Sequence, residues 1–541
     1  MGQKKWVSIV FVIALTLTAF LAGCSYEKPS STNSGSNDSS SSSDSVGSSA
    51  TSEKRDDIKV GLDVDAGTMD PRLSKDVSAT RVSELVYDGL IVLSANLEPE
   101  PALAKEWENP DPTTWIFTLR DDVTFHDGEP FTAEDVKYTY DSIIDPNFQA
   151  PSASFYAPIE SVEVINSHQV KFTLKQPSAP LLTYLNIGIV PKHIGEKNDN
   201  SLSSNPIGTG AYKMVKWDKN SKISFEANEN YWNGEPKTKK ITYFIIPDNS
   251  TRVASLESGD IDLVHSPLSP QDIKRLKENN KFEVKETEGL GFTYLNFNQK
   301  HPILSDMNVR QAISHLVNKD VISTDIYQGM DKPGKSPLIP ASWAYDDSIS
   351  GFPYDPSKAA ELFKEAGWED TDGDGILDKN GEKLTITLST HSEDPNRIQT
   401  VEYLQNEFTK YGIQTEVKTS EWPTFSAALT EGNFDIALVG WLNQIDPDRS
   451  FYNPFHTNGG SNYGKYSNPT VDKLIEEGRA ALDRTERTSI YQEAAKIVTE
   501  EVAYNVVLYQ GYIAMYSKNL TGFNIHPSGS FNGLKMAEIS N

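Results

Sequence analysis

Cysteine is all but absent: Cys24 is the only one in 541 residues. No intramolecular disulfide can form, and there is no C-x-x-C motif. The nine histidines are scattered, and none forms a ligand-spaced cluster with a second. G-x-S-x-G, H-E-x-x-H and the P-loop are missing too, so the usual motifs of nucleophilic, zinc-dependent and nucleotide-dependent chemistry are not there. Gly208-Thr209-Gly210 lacks the third glycine and the strand-to-helix setting of a dinucleotide fingerprint. His126 beside Asp127 reads as a turn before a helix rather than an acid–base pair. Positive charge is scarce, with 50 Lys and Arg against 76 Asp and Glu and a formal net charge of −26. That balance argues against nucleic acid as a partner, because binding a phosphate backbone needs a basic face. The chain is read as a non-enzyme.

What is present begins at the N-terminus. Lys4 and Lys5 precede an apolar run from Trp6 to about Ala22, the layout of a signal peptide and too short for a confident spanning helix. The run ends at Leu21-Ala22-Gly23-Cys24, two small residues before a nucleophilic thiol, and this resembles the bacterial lipobox. Residues 1–23 are expected to be a signal peptide, with Cys24 the acylated residue of the mature chain. A multiply acylated cysteine gives durable attachment to a bilayer, where one chain would be marginal. Residues 25–53 are mostly Ser, Gly, Asn and Asp. Such a stretch cannot recover its ordering entropy by burial, so it reads as a tether of about 30 Å mean reach.

The remaining residues are too many for one ordinary core. Ile58, Val60 and Leu62 alternate as a strand, as do Trp115, Phe117 and Leu119. Thr132 and Asp135 form a capping box for a helix burying Val136, Tyr140 and Ile143. Val162, Val164 and Val170, Phe172, Leu174 read as a hairpin. Later, Asp306 caps a helix with Val309, Ala312, Ile313, Leu316 and Val317 on one face. Two more helices, carrying Ala359, Leu362 and Phe363 and then Ile398, Val401, Leu404 and Phe408, stop at Gly367 and Gly412. The strands Ile413, Thr415, Val417 and Phe434, Ile436, Leu438 follow. Helix alternating with strand at this spacing predicts an α/β fold with mixed sheets.

One metal candidate stands out. Asp370, Asp372, Asp374 and Asp378 occupy the first, third, fifth and ninth positions of an EF-hand-like loop, with Gly375 at the sixth. The twelfth position is Gly381, so the closing carboxylate is missing. A structural calcium is possible there, and no cofactor is otherwise required.

Six stretches occur in an order that resembles one family. They are Pro99-Glu100-Pro101-Ala102-Leu103-Ala104 with Glu106-Trp107-Glu108, Trp115 to Arg120 leading to His126-Asp127-Gly128 and Phe131 to Val136, and Pro206 to Tyr212 with Asn230-Tyr231-Trp232. Asn296-Phe297-Asn298 with Asp306 to Ala312, Gly440-Trp441 with Asp446-Pro447-Asp448, and Tyr466 to Pro469 with Val471-Asp472 complete the set. The sequence resembles the extracellular solute-binding lipoproteins of peptide and nickel ABC importers, the oligopeptide- and dipeptide-binding class.

The resemblance implies a type II periplasmic-binding-protein fold. Lobe I would combine 55–98, 207–300 and 506–541, a small inserted lobe would span 99–206, and lobe II would span 301–505. A peptide would lie between the main lobes as a monomeric receptor's cargo, to be delivered to permease subunits. Nickel chelate, opine or oligosaccharide is the alternative cargo, and a peptide sensor or chaperone-like binder without import is the alternative role. Backbone donors would come from Val77, Ser78 and Ala79 and from Gly440, Trp441 and Leu442, with Tyr463 lining the cleft. In well-known members an acid three residues after that Trp binds the peptide's amino terminus. Here the position holds Gln444, the loop is one residue shorter, and Asp446 is the residue expected to take the role. Arg310 is expected to be a structural ion-pair partner.

Overall fold

The computed structural model describes residues 54–197, 200–266 and 268–540. Cys24, the expected signal peptide and the Ser-rich stretch lie outside the described residues. Among the described residues no helix is long and apolar enough to cross a membrane.

Eleven strands join into a single sheet. From one edge they run Gln414–Ser420, Thr385–His391, Ile436–Trp441, Phe282–Phe297, Tyr504–Ser517, Leu263–Val264, Asp57–Leu62, Lys240–Ile245, Lys222–Ala227 and Tyr212–Asp218. The short strand Lys332–Pro333 pairs beside Tyr504–Ser517, off this path. Both halves are mixed. Asp57–Leu62 lies parallel to Lys240–Ile245 and Leu263–Val264, and Thr385–His391 lies parallel to Gln414–Ser420 and Ile436–Trp441. The remaining pairs of the path are antiparallel. The helices connecting the parallel strands supply the apolar faces that cover them. This is an α/β fold with two lobes bearing mixed sheet.

The lobes are joined through two unusually long strands, Phe282–Phe297 and Tyr504–Ser517. Residues 283–288 are only partly buried or exposed, whereas from Leu290 to Phe297 every residue is buried. The ladder breaks in the middle, between the pairs Glu288↔Gly511 and Phe292↔Tyr509. Gly289 and Gly291 occupy the break. A Cβ on Gly289 would sit 2.6 Å from Gln510 O, one on Gly291 2.6 Å from Trp441 O, and one on Gly511 2.5 Å from Met330 O. These glycines permit a close backbone approach that no side chain would allow.

Beyond this junction, Ile58, Val60 and Leu62 pack with Tyr212, Phe225, Tyr243 and Phe531 in one core. The other half is packed on both faces of its sheet. A separate four-stranded antiparallel sheet runs Ala104–Asp111, Thr114–Leu119, Gln169–Leu174, Ile159–Asn166. Its helix, Ala133–Ile144, has the expected Thr132–Asp135 capping box and lays Tyr140 against Phe172, centroids 5.1 Å apart. His126 ties this inserted part to the main body, its Nδ1 accepting from Gly208 N–H at 3.4 Å and its Nε2 lying 2.9 Å from Gly210 O. Burial pushes the imidazole down to about 4, so it stays neutral and structural.

The inserted part also touches the far half. Ala179 N–H donates to Arg479 O at 2.9 Å, and Arg449 sits 4.5 Å over the Phe155 ring. The helix capped by Asp306 ends at His315, with Leu316 and Val317 buried just beyond it. Arg310 is structural but not through an ion pair. Its buried guanidinium donates to the carbonyls of Leu304, Ser305, Glu501 and Val502.

Candidate functional site

The candidate site lies where the strand Ile436–Trp441 meets the broken ladder of the sheet junction. On one side the strand Ile436–Trp441 pairs with Phe282–Phe297 through Trp441. On its other side only Ile436 and Ala437 have ladder partners. Val439, Gly440 and Trp441 therefore leave an open backbone edge at the carboxyl end of a parallel set, where open α/β sheets place ligands.

The Trp441 ring is half-buried and nearly parallel to Tyr294 at 6.4 Å, and Tyr294 stacks on Tyr504 at 4.1 Å. Trp441 Nε1, Tyr294 Oη and Tyr504 Oη are buried without a hydrogen bond of normal geometry. The Arg397 guanidinium occupies the space a side chain at Gly440 would need. Leu442 is 53% exposed, and Asn443 takes φ +55°, turning the chain so that Gln444 N–H reaches Leu290 O at 2.9 Å. Tyr463 is half-buried against the core that includes Tyr294.

Two expectations need correcting. Gln444 is buried and spent, its amide donating to Leu442 O and accepting from Ser450 Oγ at 2.7 Å. Asp446 is already engaged inside the fold. It caps the helix Pro447–Phe455 through Asp448 N–H, and both its oxygens accept from Arg487, at 2.8 and 3.1 Å. Its side chain is 0% exposed. Val77, Ser78 and Ala79 form the first turn of the helix Val77–Ser83, where the Ala79 N–H is taken by the Asp76 cap at 2.6 Å. The Asp76 position before a run of small and β-branched residues was the unread signal.

Sequence reasoning missed the charged rim beside Gly440. The strand Thr385–His391 delivers His391, and the helix Pro395–Lys410 delivers Arg397 in its first turn behind the Asp394 cap. His391 Nε2 lies 2.8 Å from Arg397 Nη1, His391 Nδ1 lies 3.0 Å from Glu393, and Arg397 Nε lies 3.3 Å from Asp394. Asp331 stands nearby, with Oδ1 accepting from Gly511 N–H at 3.1 Å. Burial pushes this carboxyl up to about 7. Asp394 adds to the shift, while Gly511 N–H, Arg397 and Lys332 oppose it. A strand ending at a Pro-led, Asp-capped helix was the available sign of this rim.

The aspartate loop is elsewhere on the surface. Asp370, Asp372 and Asp374 are exposed, and their oxygens lie within 4.8 Å of one another, so they could hold a metal ion. Asp378 does not join them: it is buried, and its carboxylate accepts from Thr371 N–H and Oγ1. Lys383 Nζ sits 2.8 Å from Asp372 and 2.9 Å from Asp374, and those contacts hold its ammonium above the ordinary lysine range. Among the described residues no other group of three or more His, Cys, Asp or Glu is placed to hold a metal.

Residues 98–463 match the model of the bacterial extracellular solute-binding proteins, family 5 Middle. The oligopeptide-binding protein AppA of Bacillus subtilis is 28% identical over 97% of both chains. The dipeptide-binding protein of Escherichia coli is 30% identical over 79% of this chain and 84% of its own. Among solved structures, AppA with a bound nonapeptide superposes with a TM-score of 0.75 at 27% identity, covering 91% of this chain and 100% of its own. NikZ of Campylobacter jejuni with Ni(L-His) gives 0.76 at 29% identity, covering 90% and 99%.

Proposed function

The chain belongs to the bacterial extracellular solute-binding proteins of family 5, a non-catalytic class, and from that premise we propose that it captures oligopeptides between its two lobes and delivers them to an ABC importer's permease subunits. It acts on the extracytoplasmic side. The observation that carries the peptide reading is the open edge at Val439–Trp441. An extended peptide laid along that edge would pair its backbone N–H and C=O groups whatever its sequence, which a generic receptor needs once the ligand is desolvated. Trp441 and Tyr463 would flank it, Arg397 with His391 would meet a carboxylate, and Leu442 would cover the ligand from above. The glycine-broken long strands would serve as the hinge on which the lobes close. We take lobe I as 55–98, 207–300 and 506–541, the inserted lobe as 99–206 and lobe II as 301–505.

Anchoring belongs to the same proposal: Cys24 acylated in the membrane, residues 25–53 as tether, the folded part monomeric. Calcium at Asp370, Asp372 and Asp374 would be structural and weak, in the range of about 10⁻⁴–10⁻³ M known for extracellular modules. The expected calorimetric result is binding in that range, tightened by Lys383→Ala because the competing ammonium is gone. No heat for either protein would remove the calcium reading.

The deciding experiment is native mass spectrometry of the folded part, from about residue 51, challenged with peptides of two to ten residues. Bound masses confined to a narrow length range are expected. A nickel chelate is less favoured, because His391, His456 and His526 all have both ring nitrogens engaged by other groups. If no peptide binds even after refolding to strip an occluding ligand, the peptide reading fails and chelates, opines and oligosaccharides are next.

A further inference from the structure

The hairpin of Ile91–Leu93 with Pro99–Pro101 turns through a position whose backbone suits glycine but which holds leucine. Leu97 N–H donates to Ser94 O at 2.8 Å and Ser94 N–H to Glu98 O at 2.9 Å, closing the turn with Leu97 at φ +60°. That left-handed position ordinarily takes Gly or Asn, because a Cβ there crowds the following carbonyl. Of the non-glycine residues with positive φ among the described residues, only Leu97 and Val502 are aliphatic. Leu97 is also the buried member of an exposed turn. It is 1% exposed, whereas Ala95, Asn96 and Glu98 around it are exposed. Strain held at such a residue calls for a compensating contact.

The contact lies across the junction of the two halves. Ile91 and Leu93, in the strand leading to the turn, belong to the core of the inserted part with Phe117 and Phe172. Leu97 instead belongs to the core of the far half with Leu338, Ile339 and Phe451, and every other buried member of that core lies at or beyond Leu290. The turn itself is held on the near side, where His526 Nε2 lies 2.9 Å from Ser94 O. The inserted part is fixed to the near half as well. Ile189 N–H donates to Asp88 O at 2.9 Å, Met69 N–H to Ser203 O at 3.0 Å, and Arg72 to Ser142 Oγ at 3.0 Å. Away from the long strands, the far half meets this near body at Leu97, at the Ala179–Arg479 bond and at the Arg449–Phe155 contact. Glu98, next to Leu97, adds an ion pair with Arg484 at 2.6 Å. Both of its side chains are about half exposed, so the pair contributes register more than energy.

We propose that the turn of residues 94–98 is a latch that holds the two lobes closed, with the Leu97 side chain as its catch. The inference rests on the glycine-broken ladder being the hinge, and not on which ligand lies between the lobes. Rotation of the far half about that break must draw Leu97 out of the far core, since the turn moves with the near body. Opening then exposes a leucine side chain to water, and closing buries it again. The left-handed backbone persists in both states while the Ser94 bonds hold, so the side chain's burial is what favours closure. Glycine would serve the turn better and the latch not at all. Because Leu97 acts on the closed state alone, it shifts the open–closed equilibrium by its difference in burial. It thereby slows escape of whatever cargo is enclosed.

The test measures the distance between the lobes directly. The sole cysteine, Cys24, precedes the folded part, so Glu160→Cys on the inserted part and Lys418→Cys on the far half take spin labels at exposed positions. Dipolar spectroscopy then reads their separation with and without an equimolar nonapeptide library. In the ligand-free protein, Leu97→Gly is expected to shift the closed-to-open ratio toward open by about tenfold or more, the weight of one buried leucine side chain. Saturating library should restore the closed distance, and retained peptides should leave the variant about tenfold faster than the unaltered protein. The thermal transition should stay within about 3 °C, because glycine suits the left-handed turn. Leu97→Asn, which also tolerates that backbone, should behave as Leu97→Gly does. A leucine that merely filled a rigid core would lower the transition and leave both the distances and the dissociation rate unmoved, and that result overturns the latch. If the library is retained but changes no distance in the unaltered protein, the hinge is absent and the latch goes with it. If the library is not retained at all, the peptide reading fails, and unchanged ligand-free distances in Leu97→Gly still overturn the latch on their own.

Discussion

Arg487→Ala is expected to cost about 3–5 kcal/mol of stability, the largest single effect anticipated in this chain. The guanidinium closes on both oxygens of Asp446, donates through Nε to Gly478 O, and lies 5.0 Å over the Trp343 ring. Burial works against its charge, and the Asp446 carboxylate outweighs that, holding the guanidinium above its ordinary range. Removing it strands a fully buried carboxylate that must stay charged without a partner or take up a proton. Asp448, two residues on, adds to the difficulty, since burial already pushes its carboxyl up to about 6 despite Arg479 at 3.1 Å. The measurement is the urea midpoint followed by circular dichroism. A double replacement, Asp446→Leu with Arg487→Met, should recover most of the loss, because an apolar pair of similar size leaves no orphaned charge. A single variant within about 1 kcal/mol of the unaltered protein would show that the pair is not what anchors this loop.

The second large effect is on binding rather than folding. In Gly291→Val the new Cβ lands 2.6 Å from Trp441 O and collides with the Gln510 amide oxygen. The backbone oxygen cannot swing aside as a side chain would, so either the first long strand or the open edge at Trp441 must move. Overpacking of this kind costs about 1–3 kcal/mol. Spent on the closed state, that is about a 5- to 150-fold loss of peptide affinity at roughly 1.4 kcal/mol per decade. Calorimetric titration with a bound peptide, on protein whose far-ultraviolet spectrum is unchanged, reads the effect. Affinity that stays within about twofold would mean the break in the ladder does not take part in closure.

Local order was open to reading in the sequence because its causes are local. The Thr132–Asp135 box, the Asp306 cap and the apolar faces at Val136, Tyr140 and Ile143 depend on neighbours three or four residues away, and all occur as anticipated. The same holds for the strand at Ile58, Val60 and Leu62. Composition and missing motifs pointed away from catalysis and nucleic acid, and six short stretches in order pointed to the family that the comparisons bear out. What failed were statements about a side chain's partner. Asp446 meets Arg487 from 41 positions along the chain, and Arg310 meets carbonyls 191 and 192 positions away. Asp378 turned inward to Thr371 instead of outward with its neighbours. The charged rim was invisible for the same reason: His391 and Arg397 come beside Gly440, and Asp331 beside Gly511, only because strands from four distant segments pair into one sheet. Residue periodicity records which face is buried. Which distant charge waits on that face is set by strand order and register, and those exist only in the folded chain.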